Sequence, residues 1–134
     1  MEAVTQISIA MPNVPSSLAK VGDRLRAANV NIVAITCTEG HPHTIINLVV
    51  DDPETAKIVL RELGTVTSHT VVGVELKNKP GAIASVAREC AAAGINIHNF
   101  YTSISGKEGI AYVDTDNAEQ ALQLIKEWKK STGH

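Results

Sequence analysis

The chemistry of this chain gathers in four residues, Asn78-Lys79-Pro80-Gly81, which stand immediately before a helical pattern. Asn78 offers both a carbonyl acceptor and an amide donor, so it can serve an ammonium, a carboxylate, or both at once. The helix that begins here presents unsatisfied backbone N–H groups at the positive end of its macrodipole, a seat for a carboxylate. Gly81 has no Cβ, so a ligand or a neighbouring backbone can approach the turn closely. Asn96 supplies a second amide, one turn past the helix's end. Each asparagine also has a purely structural reading. Asn78 before a proline can be an N-cap, and Asn96 can close a helix-to-strand turn through its own side chain.

These residues occur twice. Shifted by 65 positions the chain overlays on itself without a gap: Asn13/Asn78, Pro15/Pro80, Ala19/Ala84, Asn31/Asn96, Ile32/Ile97, Asp51/Asp116 and Glu62/Glu127 are identities. So long a period, holding several elements per copy, describes two duplicated domains and not a stacked array. The boundary is expected between residues 68 and 69, giving domains 1–68 and 69–134. The copies differ at the turn, where Ser16 and Ser17 stand in place of Gly81 and Ala82.

Within a copy the patterns specify the elements that carry the turn. Ile7, Ile9 and Met11 alternate with polar or small residues, as in a half-buried strand. Leu18, Val21, Leu25 and Ala28 then form a helical stripe, entered through Pro15 and left at Asn29, which tolerates a left-handed backbone. Residues 31–38 and 44–51 read as a hairpin about the polar turn 39–43. A second helix starts at Asp52-Pro53 in copy one and at Asn117 in copy two, where Gln120 has capping-box spacing. Residues 65–69 can supply a fourth strand to copy one and continue into Thr70–Leu76 as one long strand. Each copy is thus βαββα(β), the ferredoxin-like order, an α+β fold with an antiparallel sheet and helices on one face. Copy two is expected to lack its last strand, which leaves the edge of Val71 to Leu76 open and predicts a homodimer.

Composition narrows the function classes. With 44% hydrophobic and 19% charged residues the chain can bury a core, and a net charge of −2 gives no footprint for nucleic acid or an anionic membrane. No apolar run is long enough to span a bilayer, and residues 1–6 lack a signal pattern, so a cytoplasmic location is expected. Cys37 and Cys90 are not repeat-equivalent, which argues against a disulfide or metal framework. His41 and His43, with Cys37 nearby, have donor types that suit zinc or nickel, but Gly106-Lys107-Glu108 replaces that turn in copy two and a solvated turn is the expectation. Phe100, Tyr101 and Tyr112 are too few, and too far from any basic patch, to read as an RNA-stacking surface. No nucleophile elbow, phosphate loop or paired carboxylates stand out, so neither catalysis nor a cofactor is expected.

The run Asn78-Lys79-Pro80-Gly81-Ala82-Ile83, a helix, then Gly94-Ile95-Asn96-Ile97 and a hairpin resembles the ACT domain, a small regulatory module of enzymes of amino-acid metabolism such as phosphoglycerate dehydrogenase, aspartokinase and acetolactate synthase. Copy two, from about Thr70 to Trp128, is the nearer match. The resemblance implies an amino-acid effector bound at domain interfaces, with Asn78 and Asn96 as contacts, Lys79, Pro80, Gly81, Ala82 and Ile97 beside them, and Asn13, Ser16, Ser17, Asn31 and Ile32 as the site residues of copy one. Leu76 and Met11 stand where the serine-binding module has a histidine, so the resemblance does not name the amino acid. The expected function is a stand-alone sensor or regulatory subunit of amino-acid metabolism, with a biosynthetic enzyme as a candidate partner; the alternative is an interaction module that pairs with a partner enzyme and senses nothing. The main contact is expected from Asn78 to Ala82, completed by Asn96 or by Asn31 of a neighbouring domain.

Overall fold

A computed structural model of the chain describes residues 2–40 and 42–132. The elements follow as β1 (Glu2–Pro12), α1 (Ser17–Ala27), β2 (Ile32–Glu39), β3 (His43–Val50), α2 (Pro53–Leu60), β4 (Thr65–Lys77), α3 (Ala82–Ala92), β5 (Ile97–Ser105), β6 (Glu108–Thr115) and α4 (Ala118–Thr132). They divide into two compact units, Thr5–His69 and residues 2–4 with 70–132. β1 and β4 therefore each run from one unit into the other, and the expected single long strand across residues 65–76 is found as β4.

In the N-terminal unit the strand order is β2-β3-β1-β4, with β1 and β2 both antiparallel to β3. Gly64, just ahead of β4, lies so close to β1 that a Cβ there would overlap the Ala10 carbonyl oxygen. Ile7, Ile9 and Met11 of β1 and Ile46 and Leu48 of β3 pack against Val21 and Leu25 of α1 and Ala56 and Leu60 of α2. Both helices therefore cover one face, because that face alone carries the apolar half of the strand alternation. Asp52 caps α2 through the Thr55 N–H at 3.2 Å.

In the C-terminal unit the order is β1-β4-β6-β5, with β6 antiparallel to both β4 and β5. As expected, no strand follows the second helix of this copy among the described residues, and the first residues of the chain take that place. α4 runs to Thr132, and residues 2–4 of β1 lie beside β4, where a Cβ on Gly73 would press on Val4 Cγ2 at 3.0 Å. The edge of Val71 to Leu76 is thus partly lined, and Val71 and Val72 are fully buried. Residues 2–4 are too few to line the whole of Val71 to Leu76, the edge on which the homodimer is expected.

The second core repeats the first with exchanged volumes. Cys90 and Ala111 stand where Leu25 and Ile46 stand, and Trp128 replaces Leu63, so one large ring offsets two smaller side chains. Half of the capping box forms: Asn117 Oδ1 accepts from the Gln120 N–H at 3.1 Å, while Gln120 Oε1 accepts from the Asn117 side-chain amide at 3.2 Å and the Asn117 N–H donates to Thr115 Oγ1 at 3.2 Å. Leu18 and Ile83 depart from the expected stripes. Both are 47% exposed, and the buried positions one residue earlier are Ser17 and Ala82.

Candidate functional site

The turns at the two helix starts begin alike. Val14 and Lys79 each donate their N–H two residues back, to Pro12 O and Lys77 O at 2.9 Å, and Ser17 and Ala82 donate to Val14 O and Lys79 O. They part at the residue before the helix. Gly81 is left-handed, at φ +87° and ψ −8°, whereas Ser16 is right-handed, at φ −86° and ψ −6°. No atom lies within 4 Å of a Cβ built on Gly81, so the glycine is required by its backbone angle and its surroundings are open. Neither Asn13 nor Asn78 is the N-cap; Ser16 and Gly81 hold that place, with no side-chain cap bond. At α3 the N–H groups of Ile83 and Ala84 have no acceptor among the described residues.

The two asparagines are tethered differently. Asn78 donates its amide to Gly106 O at 2.8 Å, and its own N–H bonds Lys107 O at 2.8 Å, so the β5–β6 turn holds it in place. Its carbonyl oxygen receives no donor among the described residues. Asn13 has both ends engaged: its amide donates to Glu39 Oε1 at 3.0 Å, and its carbonyl accepts from Thr44 Oγ1 at 3.1 Å. The 65-residue offset puts Ile104 and Gly109 where Glu39 and Thr44 stand. Copy two therefore leaves its asparagine an open acceptor beside an apolar wall. Ser17 is likewise spent, its buried hydroxyl donating to Pro12 O at 2.5 Å.

Beside Asn78 a small pocket of about 50 Å³ opens between the first turn of α3 and the paired ends of β4, β5 and β6. Lys77, Asn78 and Lys79 form part of its lining, and the rest is mainly aliphatic. Pro80 and Gly81 shape the turn beside it.

The second pair of asparagines lies elsewhere. Lys77 pairs with Glu108 at one end of β6 and Ile97 pairs with Thr115 at the other, so Asn78 and Asn96 are separated by the length of that strand. Seven steps at about 3.3 Å give about 23 Å. The fold thus does not bring Asn78 and Asn96 of one unit together, and the same holds for Asn13 and Asn31. Asn31 and Asn96 exchange bonds with the repeat-equivalent aspartates: their N–H groups donate to Asp51 Oδ1 and Asp116 Oδ1 at 2.9 and 3.2 Å, and their carbonyls accept from the aspartate N–H groups. Ile32 and Ile97, which follow them, are half-buried against the cores.

Other candidates resolve simply. His43 is exposed, His41 lies outside the described residues, and no cluster of three metal-ligand side chains occurs among the described residues. Both cysteines are free thiols, Cys37 exposed and Cys90 buried. Tyr101 and Tyr112 stack on each other at 5.3 Å, while Phe100 packs against the core, so the three aromatics do not share a face. No helix among the described residues is long and apolar enough to cross a membrane. Ile104 and Ile110, absent from the sequence reading, wall the pocket, and Gly106, read there only as part of a turn, holds Asn78. Only the repeat offset at Glu39/Ile104 and Thr44/Gly109 pointed to them.

The fold has close counterparts. Protein BT0572 from Bacteroides thetaiotaomicron superposes with a TM-score of 0.88 at 27% identity, over 95% of this chain and 89% of that one. The regulatory subunit of aspartate kinase from Thermus thermophilus, in its ligand-free form, matches at 0.67 and 19% identity, over 95% and 97%. Aspartokinase III of E. coli, in complex with lysine and aspartate, matches at 0.63 and 16%, and there this chain covers 32% of the longer protein. No curated protein sequence matches the chain. The model of the ACT domain pair matches residues 2–132, and with the βαββα order found twice along the chain it belongs to the ACT domain pair family.

Proposed function

We propose that the chain is a non-catalytic regulatory protein that binds a free amino acid at the start of α3. The ligand's carboxylate sits on the N–H groups of Ile83 and Ala84, and its ammonium is held by the Asn78 carbonyl oxygen. The observation that carries this reading is the contrast between Asn78, fixed by Gly106 yet open at its acceptor, and Asn13, which is engaged at both ends. A polar group fixed by one bond and presented by the other is preorganised for a ligand. Binding of lysine and aspartate by a protein of similar fold supports the ligand class, and the regulatory-subunit neighbour supports an enzyme partner.

The domain boundary near residues 68 and 69 and the cytoplasmic location are kept within this proposal. So is the homodimer, resting also on the exposed apolar side chains Ile83, Ile104 and Ile110 around the pocket mouth. A second copy would cover them and could bring an Asn31 or Asn96 to the ligand, which no single unit can do. A thermal-shift screen against the twenty amino acids tests the function, because a ligand bound by the folded state alone raises the midpoint as its concentration rises. No shift with any amino acid at millimolar concentration would defeat it. Light scattering at micromolar concentration showing a monomer with and without ligand would defeat the dimer alone.

A further inference from the structure

The pocket beside Asn78 constrains the ligand's side chain, an argument that rests on the binding reading above. Its volume is about 50 Å³. A water-sized group needs about 10–15 Å³ by this measure, so the pocket takes about three to five non-hydrogen atoms, too few for an aromatic ring. Behind the Lys77–Lys79 rim its walls are Leu76, Ala82, Ile83, Ile104, Ile110 and Ala111, with Gly109 and one polar residue, Thr102, among them. No carboxylate belongs to this lining, and Glu75 and Glu108 line the larger cavity that adjoins it at Leu76, Lys77, Gly109 and Ile110, so a cationic head seated in the small pocket would lose water and gain no counter-charge there. Lys77 and Lys79 are exposed at the rim, where their hydrated charges attract a ligand carboxylate only weakly.

Gly109 contributes no side chain to this lining. A Cβ on it would lie 3.0 Å from Ile104 Cγ1, pressing on the wall. In copy one the same two positions carry Glu39 and Thr44, which turn inward to Asn13 and make that counterpart polar. The two copies have thus diverged at the residues that would touch a ligand side chain, while the framework around them repeats.

We infer that the site selects a branched aliphatic amino acid, valine, leucine or isoleucine, over charged, aromatic and smaller ones. The pocket volume matches three or four side-chain carbons, its walls are mainly aliphatic, and each missing methylene in such a pocket lowers affinity by roughly 10-fold or more.

Titration calorimetry on the full chain tests this, with valine, leucine and isoleucine set against alanine, lysine, aspartate and phenylalanine. The expected result is at least about a 10-fold preference for the best of the first three over every member of the second set. Ile104→Glu places the copy-one residue on the wall at a side chain that is 53% exposed, so the fold should tolerate it. The variant should lose affinity for the aliphatic ligands and narrow the gap to lysine. Equal or tighter binding of lysine, aspartate or phenylalanine, abolished by Asn78→Ala, would overturn the selectivity and leave the proposed function standing. No heat from any amino acid would defeat both. The ranking on the unaltered chain decides the inference even if the variant does not fold.

Discussion

Asn13→Ala and Asn78→Ala should separate stability from binding, although the two residues are repeat-equivalent. At Asn78 the lost group is an acceptor offered to an ammonium. A hydrogen bond to a charged group contributes about 1.5–3 kcal/mol, and at about 1.4 kcal/mol per decade that is roughly a 10- to 150-fold weaker Kd. The fold loses only the exposed bond to Gly106 O, worth below about 1 kcal/mol. At Asn13 the balance reverses. Alanine there leaves Thr44 Oγ1, on a residue only 8% exposed, without its acceptor, and frees Glu39 from its amide. Stranding a nearly buried hydroxyl costs about 1–3 kcal/mol of stability, with Kd changed by less than about 2-fold. Calorimetry with the best-binding amino acid and urea unfolding of each variant read the two quantities. Equal loss of binding in both variants would refute the reasoning, as would Asn78→Ala with unchanged Kd.

Gly64→Ala should destabilise by about 1–3 kcal/mol, because its Cβ meets the Ala10 carbonyl of the neighbouring strand, which cannot move alone. Gly22→Ala, mid-helix with nothing within 4 Å, should stabilise by about 0.5–1 kcal/mol, so thermal midpoints should move in opposite directions. Asp52 is held below its ordinary 3.8 by bonds from the Thr55 hydroxyl and N–H. A depressed folded value gives stability that is present above the ordinary carboxylate range and lost as pH falls through it, so Asp52→Asn should flatten the acid-side decline in urea midpoint. Burial, with Tyr112 and Asp114 adding to it, raises the Tyr101 phenol above its ordinary 10.0. That contribution is complete below about pH 10 and lost above it, so unfolding midpoints should drop on the alkaline side, and less so in Tyr101→Phe.

Much of the local framework was legible because it obeys short-range rules. The alternation of Ile7, Ile9 and Met11, the caps at Asp52 and Asn117, and the left-handed Asn29 at φ 58° and Gly94 at φ 71° follow from residues a few positions apart. The stripe of α1 was misjudged at Leu18 because a helix's inward face is set by its rotation against the sheet, which puts the small Ser17 and Ala82 inside.

The sequence by itself determined that one βαββα pattern occurs twice, that its helices cover one sheet face, and that the turn before α3 carries an amide and a glycine. Hydrophobic period, capping chemistry and the missing Cβ of Gly81 are properties of neighbours in the chain, whereas the left-handed backbone of that glycine came from the structure. Only the tertiary structure decided where the last strand of the C-terminal unit comes from, since pairing of residues 2–4 with β4 joins segments about seventy residues apart. It also decided that Asn78 and Asn96 stand at opposite ends of β6, and that Thr44 silences Asn13 while Gly109 leaves Asn78 open. Such facts depend on strand register and cross-strand neighbours, which fix distances between residues that no spacing along the chain encodes.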